Sequence, residues 1–198
     1  MKQLCFATNN IKKLKEVGQM LEGTYNLLTL KDIGCLEELA EDQHTLEGNS
    51  RQKAAYVWEN YQIDCFADDT GLEVEALHGE PGVYSARYAG PQRSDTDNMQ
   101  LVLQNLQGQQ NRKARFRTSI TLFLGGQEHQ FEGTVEGQIT ETWNGDTSFG
   151  YDPIFIPEGY SQTFAQMSLE AKNAISHRGR AIRKLVEFLK AQQGALSN

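Results

Sequence analysis

The sequence predicts a mixed α/β fold, and three observations carry that expectation. Short apolar strands alternate with amphipathic helical stripes through the first half, the period then switches to strict alternation over a long hairpin, and another amphipathic helix follows. Gln3 to Thr8 reads as a buried strand, after which Ile11, Leu14, Val17 and Leu21 fall on one helical stripe with Asn9 or Asn10 as cap. A strand running into a helix start is a common place to hold an anion. Tyr25 to Leu30 suggests a short strand. Ala54, Val57, Trp58 and Tyr61 place a helix over about 46–61, capped by Thr45. Asp64 to Ala67 reads as a strand ending at Asp68-Asp69-Thr70-Gly71, and Leu72, Val74 and Ala76 alternate with Glu73 and Glu75 in a further strand. The acids are therefore expected at a strand junction.

Met99, Val102, Leu103 and Leu106 mark a helix capped by Ser94 or Asp95 and stopped at Gly108. Ala114, Phe116, Thr118, Ile120, Leu122 and Leu124 then alternate, Gly125-Gly126 turns the chain, and Phe131, Val135 and Ile139 carry the alternation back. Ile182, Leu185, Val186 and Leu189 give a last helix, preceded by Ser176 and ended near Gly194. There is neither an internal repeat nor a low-complexity linker, and the central sheet is longer than one small domain needs.

At 198 residues the chain can bury a full core, as one domain or two closely joined lobes. A net charge of −7 argues against a broad nucleic-acid surface, which needs a clustered cationic excess, and leaves room only for local Lys/Arg pockets. The apolar run Leu4-Cys5-Phe6-Ala7 is too short for a secretory core, and no stretch has the length of a membrane span. A cytoplasmic protein with no membrane partner is expected. Cys5, Cys35 and Cys65 are odd in number and lack metal or disulfide spacing, so they are expected as buried thiols.

Two clusters invite chemistry. Ser148-Phe149-Gly150-Tyr151-Asp152-Pro153 and Lys172-Asn173-Ala174-Ile175-Ser176-His177-Arg178-Gly179-Arg180 combine aromatic, cationic and acidic groups. An aromatic face stacks on a base, and cations near a helix start neutralise phosphates. Asp68 and Asp69, with Glu41 or Asp42 from an earlier loop, form an oxygen set that suits Mg²⁺, which takes one or two carboxylates plus substrate phosphates. Lys13, Lys53, Lys172, His177 and Arg178 are the cationic candidates. Each of these features alone is most simply a turn or a solvated charge, and His44, His78 and His129 read as incidental. No GxxxxGK[ST], GxGxxG or HExxH motif is present, which disfavours a Walker ATPase, a dinucleotide oxidoreductase and a zincin.

Six motifs occur in order: Thr8-x-Asn10-x-x-Lys13-x-x-Glu16; Thr45-Leu46-x-x-Asn49-x-x-x-Lys53-Ala54; Phe66-Ala67-Asp68-Asp69-Thr70-Gly71-Leu72; Pro81-Gly82-Val83-Tyr84-Ser85-Ala86-Arg87-Tyr88; Phe149-Gly150-Tyr151-Asp152-Pro153; and Ile175-Ser176-His177-Arg178-Gly179. Together they closely resemble the inosine triphosphatase family of non-canonical purine nucleoside triphosphate pyrophosphatases, from residue 8 to about residue 185. The resemblance implies a single domain over 1–198 with two lobes, an elongated mixed central sheet flanked by helices, the active-site cleft between the lobes, and a homodimer. It implies Mg²⁺-dependent hydrolysis of ITP, dITP and XTP to the monophosphate and pyrophosphate.

Carried over motif by motif, Thr8, Asn9, Asn10 and Lys13 would line the phosphate pocket, Asp69 would bind metal and accept a proton, and Thr70 would touch the substrate. Lys53 would offset triphosphate charge. Phe149, Gly150, Tyr151 and Asp152 with Lys172, His177 and Arg178 would surround the base and its neighbouring phosphate, Arg178 donating to the 6-keto oxygen. Glu41 and Asp68 would join Asp69 at the metal, with Asp42 and Glu47 nearby in sequence. Asn9 stands where many members carry glycine and Thr70 where serine is common, and neither change removes a charge. The alternative reading is a catalytically weak nucleotide-binding sensor, disfavoured by the retained acids and Lys13.

Overall fold

A computed structural model describes residues 1–146 and 149–195. The first strand, β1 (Gln3–Phe6), pairs in parallel with β2 (Asn26–Leu28) and with β3 (Cys65–Val74). Successive strand residues face opposite ways, so a parallel strand buried on both sides must be apolar throughout. Leu4 and Phe6 enter a core with Phe66, Val17, Leu21, Ile120, Leu122, Leu185 and Leu189. Cys5 and Ala7 enter another with Cys65, Ala67, Ala54 and Val57. The stacked pair Phe6–Phe66, with ring centroids 4.5 Å apart, ties β1 to β3 and contributes about 0.5–1.5 kcal/mol beyond its buried area.

Helix α1 (Ile11–Leu21) is capped by Asn10, whose side chain accepts from the amides of Lys12 and Lys13. Helix α2 (Leu46–Tyr61) is capped by Thr45 and ends in left-handed Gln62. Ser94 caps α3 (Asp95–Asn105). The hairpin of β5 (Lys113–Leu124) and β6 (Gln127–Ile139) turns on Gly125 and Gly126, both at positive φ. The short β4 (Pro81–Gly82) runs antiparallel to β3, and β7 (Phe155–Pro157) antiparallel to β6. Helices α4 (Leu169–Ile175) and α5 (His177–Ala195) complete the described chain. The strand order is β2-β1-β3-β5-β6-β7, with β4 alongside β3.

The mixed α/β class, the hairpin and the helices at 11–21, 46–61 and 95–105 match the sequence expectation. One expectation is corrected. The acids do not lie at a junction, because β3 continues through Asp68-Asp69-Thr70-Gly71 as a single strand to Val74. Polar partners on both sides satisfy the acids, so the strand has no need to break. The predicted strand at 25–30 is shorter, and α4 was not expected.

Chain contacts divide the molecule into two compact units. The first takes residues 1–69, 118–133 and those from Arg178 onward; the second takes 70–117 and 134–177. In the first unit α1 and α5 cover one face of the sheet and α2 the other, and Cys5, Cys35 and Cys65 are free thiols buried in the α2 side. Burial, with Cys35 and Asp32, pushes the Cys5 thiol up to about 12. The second unit packs Leu72, Val74, Met99, Val102, Phe116, Tyr151, Phe155 and Phe164 into its own core. Among the described residues no helix is long and apolar enough to cross a membrane.

Candidate active site

Strand alternation turns Asp68 and Asp69 of β3 to opposite faces, and the two carboxylates meet different partners. Asp68 is 1% exposed and faces α1 and α5. Its Oδ1 accepts from Lys13 Nζ at 2.9 Å and its Oδ2 from Arg178 Nε at 3.0 Å. Arg178, also 1% exposed, donates through Nη1 to Glu16 Oε2 at 2.5 Å. Asp69 faces α2, where Asn49 Nδ2 donates to its Oδ2 at 3.0 Å. Lys53, one turn further along α2, donates to the Asp68 carbonyl at 2.7 Å and to Glu41 Oε1 at 2.5 Å.

The electrostatics separate the neighbours further. Burial alone would raise Asp68, but Lys13, Arg178 and Lys53 outweigh it and hold that carboxyl far below its usual range. Burial raises Asp69, and here Lys53, Lys13 and the Asn49 hydrogen bond offset it only in part, while Glu41 adds repulsion. Asp69 is thus a stronger base than an exposed aspartate. Burial lowers Lys13 and Asp68 only partly restores it, with Lys53 and Arg178 adding repulsion, so a further anion beside Lys13 would be welcome. Burial also works against Lys53, yet Glu41, Asp69 and Asp68 keep it above its ordinary value.

These named groups set three cations, Lys13, Lys53 and Arg178, against four carboxylates, Glu16, Glu41, Asp68 and Asp69. The set carries one surplus negative charge, and the mutual repulsion of Asp69 and Glu41 is what a divalent cation would relieve. All the donors are oxygens, the ligand type of Mg²⁺. Among the described residues no group of three His, Cys, Asp or Glu side chains is placed to hold a metal ion. Asp68 has both oxygens committed to cations. Asp42 accepts from Gln43 and Gln52, which leaves Glu41 as the loop acid turned to Lys53.

At the start of α1, Thr8 Oγ1 accepts from the Asn10 amide at 3.1 Å, Asn9 is exposed, and Lys13 lies one turn inside the helix. The start of α1 therefore sets Thr8, Asn10 and Lys13 beside one another. In the second unit, Thr70 is half-buried on β3. Lys172 Nζ bonds Asp152 Oδ2 at 2.6 Å and lies 4.3 Å from the centre of the Phe149 ring, a desolvated ion pair with a cation–π contact. Gly150 turns the chain at φ +50°, and the Tyr151 hydroxyl donates to the Ser85 carbonyl at 2.6 Å. His177 stacks on Phe116 at 4.6 Å and is buried. Ser148 lies outside the described residues.

The expectation that Arg178 donates to a base meets a guanidinium whose Nε and Nη1 already serve Asp68 and Glu16. Glu16 and Asn49 lie within the motifs, and the sequence alone gives neither a role. Their spacing was the available signal: Glu16 is three residues from Lys13 and Asn49 four from Lys53, so each shares a helix face with a site lysine.

Fold and charge pattern together define an α/β protein whose first unit concentrates lysines and carboxylates and whose second presents an aromatic ring over an ion pair. The chain belongs to the Ham1 family, whose description matches residues 4–188. It is 51% identical over 189 residues to the dITP/XTP pyrophosphatase of Flavobacterium johnsoniae, covering 96% of this chain and 98% of the relative. It is 43% identical to the Bacillus subtilis protein of the same name over 195 residues, covering 96% and 98%. Among solved structures it resembles the Staphylococcus aureus Ham1 protein, with a TM-score of 0.87 at 36% identity, covering 96% of this chain and all of the other. A HAM1 protein from Coxiella burnetii aligns with a TM-score of 0.88 at 31% identity over the same shares.

Proposed function

We propose that this protein hydrolyses non-canonical purine nucleoside triphosphates, ITP, dITP and XTP, to the monophosphate and pyrophosphate, with Mg²⁺ as cofactor. The observation that carries this reading is the division of labour between Asp68, fixed by Lys13 and Arg178, and Asp69, whose basicity is raised by burial beside Glu41. Names of relatives at 40–53% identity support the substrate class.

The chemistry requires water to attack the α-phosphorus while pyrophosphate departs. Asp69 orients that water and accepts its proton, and a raised pKa moves a carboxylate toward the range where a general base works best. Asp69 and Glu41 would hold Mg²⁺, which would supply charge neutralisation on the phosphate oxygens. Lys13 and Lys53 are preorganised against the same charge, Lys13 with the α1 start and the Thr8 and Asn10 side chains beside it. Phe149 offers its ring to the base. Asp152 and Lys172 lie beside it as the polar pair that reads the base edge, where hypoxanthine and xanthine present a 6-keto acceptor and an N1–H donor and adenine reverses both. A cytoplasmic homodimer that engages nucleotides rather than nucleic acid completes the proposal, resting on the motif resemblance and the acidic balance.

Purified protein is assayed with ITP, dITP, XTP, ATP and GTP in the presence of Mg²⁺, reading monophosphate, diphosphate, orthophosphate and pyrophosphate separately. ITP should give IMP and pyrophosphate in equal amounts, in preference to ATP, with activity abolished by EDTA. Formation of IDP and orthophosphate would contradict the reading, and tight nucleotide binding without turnover would favour a sensor.

A further inference from the structure

The aromatic turn is not held by its own sequence alone. Gly150 adopts φ +50°, and its amide donates to Asp95 Oδ2 at 3.0 Å, across 55 residues of chain. Asp95 is the first residue of α3, but it is not that helix's cap: the Ser94 side chain does the capping by accepting from the Asp97 amide. The Asp95 carboxylate thus bonds outside its own helix, at the Gly150 amide. A carboxylate acceptor makes a stronger bond to a backbone amide than a neutral acceptor does.

Helix α3 is itself anchored. Asn98, buried, donates to the Ala86 carbonyl at 3.1 Å and accepts from the Ala89 amide at 2.8 Å, and Met99 and Val102 pack into the core of the second unit. Asp95 therefore transmits a rigid reference point to the turn. The next residue, Tyr151, is tied separately by its hydroxyl to Ser85, and Asp152 by its carboxylate to Lys172. Of these ties, the Asp95 bond acts on the peptide that joins Phe149 to Gly150, whose carbonyl accepts from the Asp152 amide at 3.1 Å.

We infer that Asp95 is a positioning residue for base selection: by holding the Gly150 amide it aims the Phe149 ring and keeps the Lys172–Asp152 pair in register with the purine edge. This rests on the proposed pyrophosphatase reading. The effect is selective for the correct base. With a 6-keto purine, misalignment of the turn forfeits matched stacking and edge contacts, whereas adenine, already mismatched there, has less to lose.

The test compares Asp95→Ala, Asp95→Ser and Asp95→Asn in the full chain by steady-state kinetics on ITP and ATP and by amide exchange at Gly150. Serine keeps a polar residue in the first helical turn but is too short to reach Gly150, and so removes the contact even where alanine impairs folding. Asparagine keeps an acceptor without the charge. The alanine and serine variants should lose roughly tenfold to a hundredfold in kcat/KM for ITP and much less for ATP, with faster exchange at Gly150. Asparagine should restore most of both. Equal losses on ITP and ATP, or unchanged Gly150 exchange on removal of the carboxylate, would overturn the inference. A wild-type enzyme that prefers ITP alongside an unaltered Asp95→Ala variant would overturn this inference alone, whereas a wild-type enzyme with no preference would overturn the functional reading as well.

Discussion

The charged cluster of the first unit and the aromatic turn of the second solve opposite problems. In the first, Asp68 and Arg178 are 1% exposed and each meets two oppositely charged partners. In the second, the ion pair Lys172–Asp152 sits against Phe149, and the turn bonds to Asp95 and Ser85. The difference teaches where stability and selectivity reside. On the proposed reading, the buried charge network holds the reacting groups, and the turn tunes recognition.

The strongest way to break this comparison is Asp68→Asn. It leaves Lys13 and Arg178 buried without their shared carboxylate, and should cost about 3–5 kcal/mol of stability, read by urea denaturation, along with most activity. Asp69→Asn should behave differently. Removing a base in this role costs at least about 10²-fold in kcat. Stability should be unchanged or higher, because burial already disfavours that charge. Equal destabilisation by both variants would erase the distinction between the two aspartates.

Acid titration sharpens the same point. The folded pKa of Asp68 is depressed below its ordinary 3.8, so the unfolded chain binds the extra proton. Its stabilisation is present above that value and is lost as pH falls through the lower folded pKa. Asp69 is raised above 3.8, so the folded chain binds the extra proton and stability from this group falls as pH rises through that window. Denaturation midpoints measured from neutral pH into acid should show a flattened acid limb for Asp68→Asn and a steeper one for Asp69→Asn. The smallest expected effect lies in the second unit. Phe149→Ala should raise KM for ITP by the equivalent of about 1–3 kcal/mol of stacking, with kcat and stability near wild type. A collapse of kcat instead would tie the turn to the chemistry.

The sequence made the periodic elements legible. The apolar stripe of α2 and the alternation across β5 and β6 depend on local spacing, and both appear where that spacing places them. Helix α4 escaped because seven residues capped by Ser168 carry too little apolar stripe to register. Continuity of β3 through two aspartates was also hidden. Adjacent acids resemble a turn unless their partners are known, and those partners, Lys13 and Arg178, lie 55 and 110 residues away. The candidate site was legible as a set of motifs, but the separate duties of Asp68 and Asp69, and the commitment of Arg178 to Glu16 and Asp68, are properties of the folded network.

The site of water attack separates a pyrophosphatase from the other readings most directly. Hydrolysis of ITP in water enriched in heavy oxygen, with both products analysed by mass spectrometry, should place one labelled oxygen in the IMP phosphate and none in pyrophosphate, at a rate that Asp69→Asn reduces at least about 10²-fold. Label in pyrophosphate or in released orthophosphate would contradict attack at the α-phosphorus and the role given to Asp69.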